Sequence, residues 1–217
     1  MLSSEKIMSN DKELVQGMIL AAGLSTRMGR QKLLIKIGGV PVIARVVRAA
    51  LVSRLNPVVL VTGPTNSELL ESLGPESANA RLLIAVNEFP EEGMSSSLKT
   101  GMMMVTKGTL GIMVILGDQP FLTSAIINRL LDEFKKQADC IVAPMVQGRR
   151  SNPVIFPADL FPELRMVTGD IGGKSVLLRN PERVVGIEMG GYYNDKDLDT
   201  PEDLQGIQSL TLENETN

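Results

Sequence analysis

Apolar runs rich in β-branched residues alternate with segments of helical periodicity along most of the chain. Residues 57–62 and 112–116 are almost entirely apolar, as buried strands of a parallel sheet are. Residues 41–54 show a helical pattern that begins with Pro, whose fixed φ suits the first position of a helix. The alternation predicts an α/β protein with a mostly parallel central sheet.

The same pattern predicts the order of the elements and the extent of the domain. Strands are predicted at residues 16–22, 57–62, 81–86, 112–116, 141–144, 153–156 and 183–188, and helices at residues 41–54, 66–73, 93–104, 123–136, 170–179 and after Thr200. Residues 145–190 differ in texture and are predicted to add a small β-rich flap. We predict one domain over residues 16–210, between a flexible segment 1–15 and a frayed end 211–217.

Composition excludes several functional classes. The chain has 217 residues, 43% of them hydrophobic, and a net charge of −3, which is typical of a soluble globular domain. The balanced charge and the aromatic content of 3% argue against a nucleic-acid partner. No N-terminal segment resembles a signal peptide, and no run approaches the roughly 18 apolar residues of a membrane span. We therefore expect a cytoplasmic protein with no membrane partner.

The sequence contains no histidine and a single cysteine, Cys140. This excludes Ser-His-Asp and Cys-His catalysis, histidine-ligated zinc and an internal disulfide framework. An enzyme of this composition relies on carboxylates, cations, backbone amides and a hard metal ion.

The segment with the clearest chemistry is residues 20–32, directly after the first predicted strand. It combines small residues such as Gly23 with the cations Arg27 and Lys32. Backbone N–H groups approach a phosphate closely where side chains are small, and the cations neutralise its charge. The spacing fits neither a dinucleotide-binding fingerprint nor a P-loop. The segment is predicted to bind phosphates, with an ordinary turn between strand and helix as the alternative.

A second glycine-rich segment, residues 172–175, contains Lys174. It resembles the end of a P-loop but has Thr168 where the first glycine of that motif belongs, and no buried strand precedes it. It therefore predicts a helix N-terminus, with Lys174 directed at a ligand as the functional alternative. Residues 93–97 also open a predicted helix, and their hydroxyls suit a base edge or a phosphate as well as a plain helix start.

Carboxylates follow the predicted strands at two places. Asp118 comes after strand 112–116, at the edge where ligands bind in parallel sheets, although a lone Asp there also suits a helix cap. Asp197 and Asp199 share one face of an extended segment before a helix start at Thr200. Because Mg²⁺ prefers carboxylates and accompanies bound polyphosphate, Asp118 with one of these two residues is the predicted metal site.

Together these segments resemble the MobA-like nucleotidyltransferases. The first has the pattern Leu20-Ala21-Ala22-Gly23-x-Ser25-x-Arg27-Met28-Gly29-x-x-Lys32, which resembles the family signature. Three further segments are similar to the molybdenum cofactor cytidylyltransferase branch, namely Gly93-Met94-Ser95-x-Ser97-Leu98, Leu116-Gly117-Asp118-Gln119-Pro120 and Asp197-Leu198-Asp199-Thr200-Pro201-Glu202-Asp203. The resemblance covers about residues 16–210 and implies a Rossmann-like, three-layer α/β/α fold.

The resemblance also implies roles for these residues. The nucleotide would be held by Leu20, Ala21, Ala22, Gly23, Ser95 and Ser97, with Arg27 on the outer phosphates and Lys32 on the α-phosphate. The catalytic residues would be Arg27, Lys32 and Asp118, and Mg²⁺ would be bound by Asp118 with Asp199 or Asp197. The acceptor would contact Gln119, Asn152 and Lys174. The chain departs from the branch at Ser151-Asn152-Pro153, where Gly-His-Pro is usual.

The implied activity is transfer of CMP from CTP to the phosphate of a molybdopterin-type cofactor, with release of pyrophosphate. The Leu-Ala-Ala-Gly form looks like that of cytidine-preferring members, and a phosphate acceptor suits a chain without histidine because it needs no general base. Alternatives are another NTP, a sugar- or polyol-phosphate acceptor, or a non-catalytic protein that delivers the cofactor. A molybdoenzyme or its chaperone is a further expected partner.

Overall fold

The computed structural model describes residues 14–23 and 32–197, and the structural statements that follow refer to these residues. In chain order the strands are β1 (Val15–Ala21), β2 (Lys36–Ile37), β3 (Val40–Pro41), β4 (Val58–Thr62), β5 (Leu82–Val86), β6 (Gly111–Leu116), β7 (Ile141–Val146), β8 (Arg149–Arg150), β9 (Val154–Pro157) and β10 (Val184–Glu188). β2 and β3 form a small separate hairpin, and the other strands form one eight-stranded sheet.

The large sheet is mostly parallel, as predicted. Its order is β10-β7-β9-β6-β1-β4-β5, and β8 pairs with β7 as a short hairpin. β1 runs parallel to β4 and β6, β4 to β5, and β7 to β10. β9 runs antiparallel to both of its neighbours, β6 and β7.

Helices cover both faces of this sheet. In chain order they are α1 (Val42–Val52), α2 (Ser67–Ser72), α3 (Met94–Met103), α4 (Ser124–Lys136), α5 (Phe161–Arg165) and α6 (Lys174–Arg179). Ile43 of α1 and Ile127 of α4 belong to one buried hydrophobic cluster, whereas Leu98 of α3, Leu164 of α5 and Val176 of α6 belong to another. The two clusters confirm the three-layer α/β/α arrangement. None of the described helices is both long and apolar enough to cross a membrane.

The segment predicted as a β-rich flap contributes mainly to the sheet itself. All four residues of β9 are buried, and β10 pairs along its whole length with β7. A strand buried on both faces needs cover from both helix layers, so it lies within the sheet. Only the β7–β8 hairpin and its turn at Gln147 and Gly148, both with positive φ, project from it.

One predicted helix is divided, and one short helix was not predicted. The predicted helix at residues 170–179 is divided, because Gly169–Ile171 is a 3₁₀ turn and Gly172 has a φ of +53°, and regular α-helix begins at Lys174. Helix α5, which the sequence pattern missed, is only five residues long. The predicted start of α4 is confirmed, because the Ile126 amide donates to Thr123 Oγ1 at 3.3 Å. The predicted helix after Thr200 lies outside the described residues.

Candidate active site

The carboxyl ends of β1 and β6 meet at one edge of the sheet and bring Asp118 beside residues 21–23. The Gly117 amide donates to the Leu20 carbonyl oxygen at 3.0 Å, so the two strand ends are in direct contact. A Cβ atom at Gly117 would lie 3.0 Å from that oxygen and 3.2 Å from the side chain of Ile43. Glycine is therefore required at this position for the two strands to approach so closely.

Lys32 and Asp118 form an ion pair at this edge. Lys32 Nζ donates to Asp118 Oδ2 at 2.6 Å, and the two side chains are 19% and 16% exposed. A short charge-assisted hydrogen bond between partly buried groups fixes the position of both. The structure thus brings together two of the three residues predicted to be catalytic. The third, Arg27, lies outside the described residues.

The same pair lines a cavity of about 500 Å³. Its walls also include four further predicted nucleotide-binding residues of the first segment, Leu20, Ala21, Ala22 and Gly23. A recess of about 230 Å³ adjoins it, lies beside the turn after β4, and shares Ala21–Gly23 with it. There the side chain of Asn66 donates to Thr62 Oγ1 at 2.8 Å. The small residues of the first segment are therefore walls of both spaces.

Asp118 has an oxygen that suits a metal ion. Its Oδ1 atom is buried and has no hydrogen-bond partner among the described residues. A buried carboxylate oxygen is costly unless it is satisfied, and Mg²⁺ is commonly bound by one or two carboxylates together with substrate phosphates and water. In the described part of the chain no cluster of three His, Cys, Asp or Glu side chains could hold a metal. Asp118 fits Mg²⁺ as one ligand, and Asp199 lies outside the described residues.

The hydroxyls at the start of α3 are divided between the cavity and the interior. Ser97 lines the 500 Å³ cavity, whereas Ser95 is buried and does not line it. Asn87, itself buried, donates from Nδ2 to Ser96 Oγ at 2.8 Å and to Ser97 Oγ at 3.0 Å. These bonds hold the first turn of the helix against the loop after β5. Of the two predicted serines, only Ser97 faces the cavity.

Asp170, which was not predicted to be a site residue, contacts the start of helix α3. The Met94 amide donates to Asp170 Oδ1 at 3.1 Å. Gly93 has a φ of +87°, and a Cβ atom there would lie 3.0 Å from Asp170 Oδ1 and 3.2 Å from its Cα. The turn that contains Asp170 therefore rests directly on the start of α3. Little in the sequence indicated this contact, because the pattern identified Asp170 only as the first residue of a predicted helix.

A larger cavity of about 750 Å³ lies on the other side of Asp170. Apolar residues such as Val114, Val154 and Phe156 line it together with Asp170 and the cations Arg149, Arg150 and Lys174. Met94, Leu116 and Asp170 line both this cavity and the 500 Å³ cavity, so the two spaces meet at these three residues. The two arginines form strand β8, and a role for them was not predicted.

The three predicted acceptor-binding residues differ in position. Asn152 and Lys174 line the 750 Å³ cavity. Gln119 lines none of the three cavities and is only 1% exposed. Its side-chain oxygen lies 3.4 Å from the hydroxyl of Tyr193, which donates to the Asn152 carbonyl oxygen at 2.7 Å. Gln119 is thus placed behind the cavity wall.

Tyr193 is a further residue that the sequence pattern did not indicate. It is 3% exposed, and burial raises the pKa of its phenol, with additional effects in the same direction from the carboxylates of Asp195, Asp197 and Asp118. The phenol is therefore neutral at physiological pH and keeps its proton for hydrogen bonding.

Comparison with known proteins shows the family to which this chain belongs. A model of the MobA-like NTP transferase domain matches residues 17–184. The purine catabolism protein PucB of Bacillus subtilis is 30% identical over 88% of this chain and 95% of its own. A probable molybdenum cofactor guanylyltransferase of Thermococcus gammatolerans is 30% identical over 64% of this chain and 66% of its own.

Solved structures share the fold. The Mycobacterium strain JC1 homologue of the Mycobacterium tuberculosis protein Rv0371c superposes with a TM-score of 0.81 at 23% identity, covering 94% of this chain and 99% of its own. Rv0371c in complex with manganese gives a TM-score of 0.73 at 22% identity, covering 90% of this chain and 98% of its own. With the family match over most of its length, this chain belongs to the MobA-like NTP transferase family and is a nucleotidyltransferase.

Proposed function

We propose that this protein transfers CMP from CTP to the phosphate of a molybdopterin-type cofactor and releases pyrophosphate. The observation that carries the proposal is the meeting of two cavities at Met94, Leu116 and Asp170. One is lined by residues 20–23, Lys32 and Asp118, the other by Asn152 and three cations. A transferase that joins two anionic substrates needs two such spaces with a common boundary. The first would hold the nucleotide and the second the acceptor.

On the nucleotide side, the small residues allow close approach of the phosphate chain. Ala21, Ala22 and Gly23 would contact base and ribose, and Ser97 would add a hydroxyl at the helix start. Lys32 would neutralise the α-phosphate as it accumulates charge, and Arg27 would bind the outer phosphates. Asp118 holds the Lys32 ammonium by the 2.6 Å hydrogen bond and so fixes where this charge acts.

The reaction needs no protein base. An oxygen of the acceptor phosphate attacks the α-phosphorus of CTP, a new P–O bond forms, and the bond to the β-phosphate oxygen breaks, so that pyrophosphate leaves with both electrons of that bond. An acceptor phosphomonoester with a second pKa near ~6 is already ionised at neutral pH. This chemistry is compatible with a chain that has no histidine.

Mg²⁺ is the proposed cofactor. Asp118 would bind it through the buried oxygen that has no hydrogen-bond partner among the described residues, with Asp199 or Asp197 as second carboxylate. When bound, the ion would neutralise charge on the phosphate oxygens and stabilise the departing pyrophosphate. The structural neighbour that was solved with manganese supports a divalent cation in this fold.

The acceptor cavity supports a ring-containing substrate more than a polyol phosphate. Val114, Val154 and Phe156 give it an apolar floor, and a polyol would lose hydrogen bonds to water there without replacing them. Arg149, Arg150 and Lys174 supply positive charge for the acceptor phosphate. Asn152 keeps the hydrogen-bonding capacity of the usual histidine without its titration.

GTP is the second candidate nucleotide. The Leu-Ala-Ala-Gly segment supports CTP, but the Thermococcus relative is named as a guanylyltransferase, and the Bacillus relative is named for purine catabolism. Mass spectrometry of the product formed from each of the four NTPs with molybdopterin decides between them. We expect a cytidine dinucleotide from CTP and a several-fold slower reaction with GTP. Absence of any nucleotide adduct and of pyrophosphate would refute the proposed function.

We further propose that the reaction takes place in the cytoplasm and that a molybdoenzyme or its chaperone receives the product. The alternative of a non-catalytic delivery protein is less compatible with Asp118, which pairs with Lys32 in the 500 Å³ cavity and has a buried oxygen suited to a metal ion, since binding alone rarely needs a metal carboxylate.

A further inference from the structure

Tyr193 lies at the junction of three segments that carry candidate site residues. The first segment leaves β6 and contains Asp118 and Gln119. The second leads into β9 and contains Asn152, and the third follows β10 and contains Tyr193 itself and Asp197. The tyrosine is 3% exposed, so its ring is enclosed where these segments converge.

The hydroxyl of Tyr193 connects two of these segments. It donates to the carbonyl oxygen of Asn152 at 2.7 Å, which is a short and well-formed hydrogen bond. It also lies 3.4 Å from the side-chain oxygen of Gln119, the residue next to Asp118. Because burial keeps the phenol protonated, this connection persists across the physiological pH range.

Tyr193 lines none of the three cavities, so it has no direct contact with the spaces assigned to the substrates. Of its two contacts, Asn152 lines the acceptor-side cavity, and Gln119 is next in the chain to Asp118, which lines the nucleotide-side cavity. Any effect of the hydroxyl on the reaction must therefore pass through these two contacts.

We propose that Tyr193 is a positioning residue whose hydroxyl sets the distance between the acceptor wall at Asn152 and the strand end that carries Asp118. The inference rests on the proposed function, because it assigns the second cavity to the acceptor. Attack on a phosphorus atom requires the reacting atoms to be aligned at about 3–3.5 Å, and a displacement of about 1 Å costs roughly 100-fold in rate. A connection that fixes the two walls supplies this alignment.

The chain contains its own control for the test. Tyr193→Phe removes only the hydroxyl, and Tyr192→Phe makes the same change at a neighbouring side chain that is 87% exposed. For Tyr193→Phe we expect kcat to fall about 10- to 100-fold and the acceptor KM to rise. The affinity for CTP, measured by calorimetry without acceptor, should stay within about twofold of the unmodified protein. Tyr192→Phe should leave all three quantities unchanged.

Turnover is normalised to the number of nucleotide-binding sites found by calorimetry, so that any unfolded fraction of Tyr193→Phe does not count. A purely structural hydroxyl would lower the melting temperature but leave normalised kcat and acceptor KM equal to those of Tyr192→Phe, and this result would overturn the inference. If the unmodified protein itself forms no product with molybdopterin and CTP, the proposed function fails instead.

Discussion

At the scale of single residues, Asp118 has two oxygens with different surroundings. Oδ2 accepts a hydrogen bond from Lys32 Nζ, and Oδ1 is buried without a hydrogen-bond partner in the described ranges. The carboxylate therefore holds a cation of the protein on one side and has a ligand position on the other. Its negative charge strengthens the first interaction and makes the second oxygen a good metal ligand.

This asymmetry predicts the behaviour of Asp118→Asn. The amide keeps the shape and can still accept from Lys32, but the charge is lost, so kcat should fall at least about 100-fold while CTP still binds measurably. Pyrophosphate release gives the rate and calorimetry the binding. Asp132→Asn makes the same change at a side chain 58% exposed in α4 and should have no effect. Unchanged turnover of Asp118→Asn would refute its catalytic and metal-binding assignment.

The ion pair also predicts how the effects of substitutions at Lys32 and Asp118 on the rate combine. If Lys32 and Asp118 act as one unit, each single variant, Lys32→Met or Asp118→Asn, already disables the pair. The double variant should then be no more than about tenfold slower than the slower single variant, far from the product of both losses. Steady-state kinetics of all four proteins in parallel measures this coupling. Fully multiplicative losses would indicate that the residues act independently.

At the scale of elements, the start of α3 depends on Gly93. Two features of this position favour glycine. The backbone has a positive φ, and Asp170 leaves little space for a side chain. The 3₁₀ turn Gly169–Ile171 docks there and forms the boundary between the two large cavities. The position of this boundary therefore depends on a residue without a side chain.

Gly93→Ala should consequently lower the free energy of unfolding by more than the backbone strain alone would. Gly93 has a φ of +87° and a ψ of −170°, a combination that costs an alanine about 1–3 kcal/mol, and the overlap with Asp170 should add at least about 1 kcal/mol. Gly39→Ala is a suitable control, since Gly39 has a φ of +76° but nothing within 4 Å of the place that a Cβ atom would take. Urea unfolding of both variants gives the difference in the free energy of unfolding. Equal losses would show that the Asp170 contact is not tight.

Another contact between elements makes stability dependent on pH. Arg48 of α1 donates to Glu76 at 2.6 Å, and this bond holds the pKa of the Glu76 carboxyl below its usual value. A lowered folded-state pKa gives stability that is present above the unfolded-state pKa of about 4.3 and lost as the pH falls through the folded-state value.

Glu76→Gln should therefore lower the free energy of unfolding at pH 7 by less than about 1 kcal/mol, because Arg48 is largely exposed. The difference from the unmodified protein should shrink as the pH is lowered from 7 to about 3, below the usual range of a glutamate pKa. Glu71→Gln, at an exposed position of α2, is the control. Denaturant unfolding at both pH values measures the effect. A difference that persists at the lower pH would contradict an electrostatic origin.

The elements also show what local sequence can and cannot predict. Continuous apolar runs predicted β4 and β6 within one residue of their observed bounds, because a strand buried on both faces has a distinctive composition. The direction of β9 was not predictable, since it depends on pairing with β6 and β7 rather than on its own residues. Lys32 and Asp118 were predicted individually, and their contact required the fold. Tyr193 lacked any signal, because its role depends on two distant segments.

At the scale of the whole molecule, the cavities proposed for nucleotide and acceptor open at the same edge of one sheet. The nucleotide side is formed by connections after parallel strands, the usual position for ligands in such sheets. Binding there should stabilise the folded chain, because only the folded state has the cavity. The stabilisation offers a direct comparison between nucleotides before any acceptor is available.

Thermal unfolding in the presence of each NTP should therefore rank the four nucleotides. A ligand at about 100 times its Kd stabilises by roughly 2.7 kcal/mol, which for a chain of this size corresponds to a rise in Tm of roughly 5–10 °C. We expect the largest rise with CTP at equal concentration. A larger rise with GTP would favour guanylyl transfer, and tripolyphosphate serves as the control for binding through phosphates alone.

The antiparallel direction of β9 separates the two halves of the site in a way that bears on how such proteins diversify. β9 begins, rather than ends, at the edge where the cavities open. The two arginines and Asn152 are therefore carried by a hairpin instead of a crossover helix, the arginines in β8 and Asn152 in the connection from β8 to β9. A hairpin turn tolerates insertions and exchanges without displacing the strands beside it. Acceptor preference can therefore change through residues 147–152 while the nucleotide half, built into the parallel strands, stays as it is.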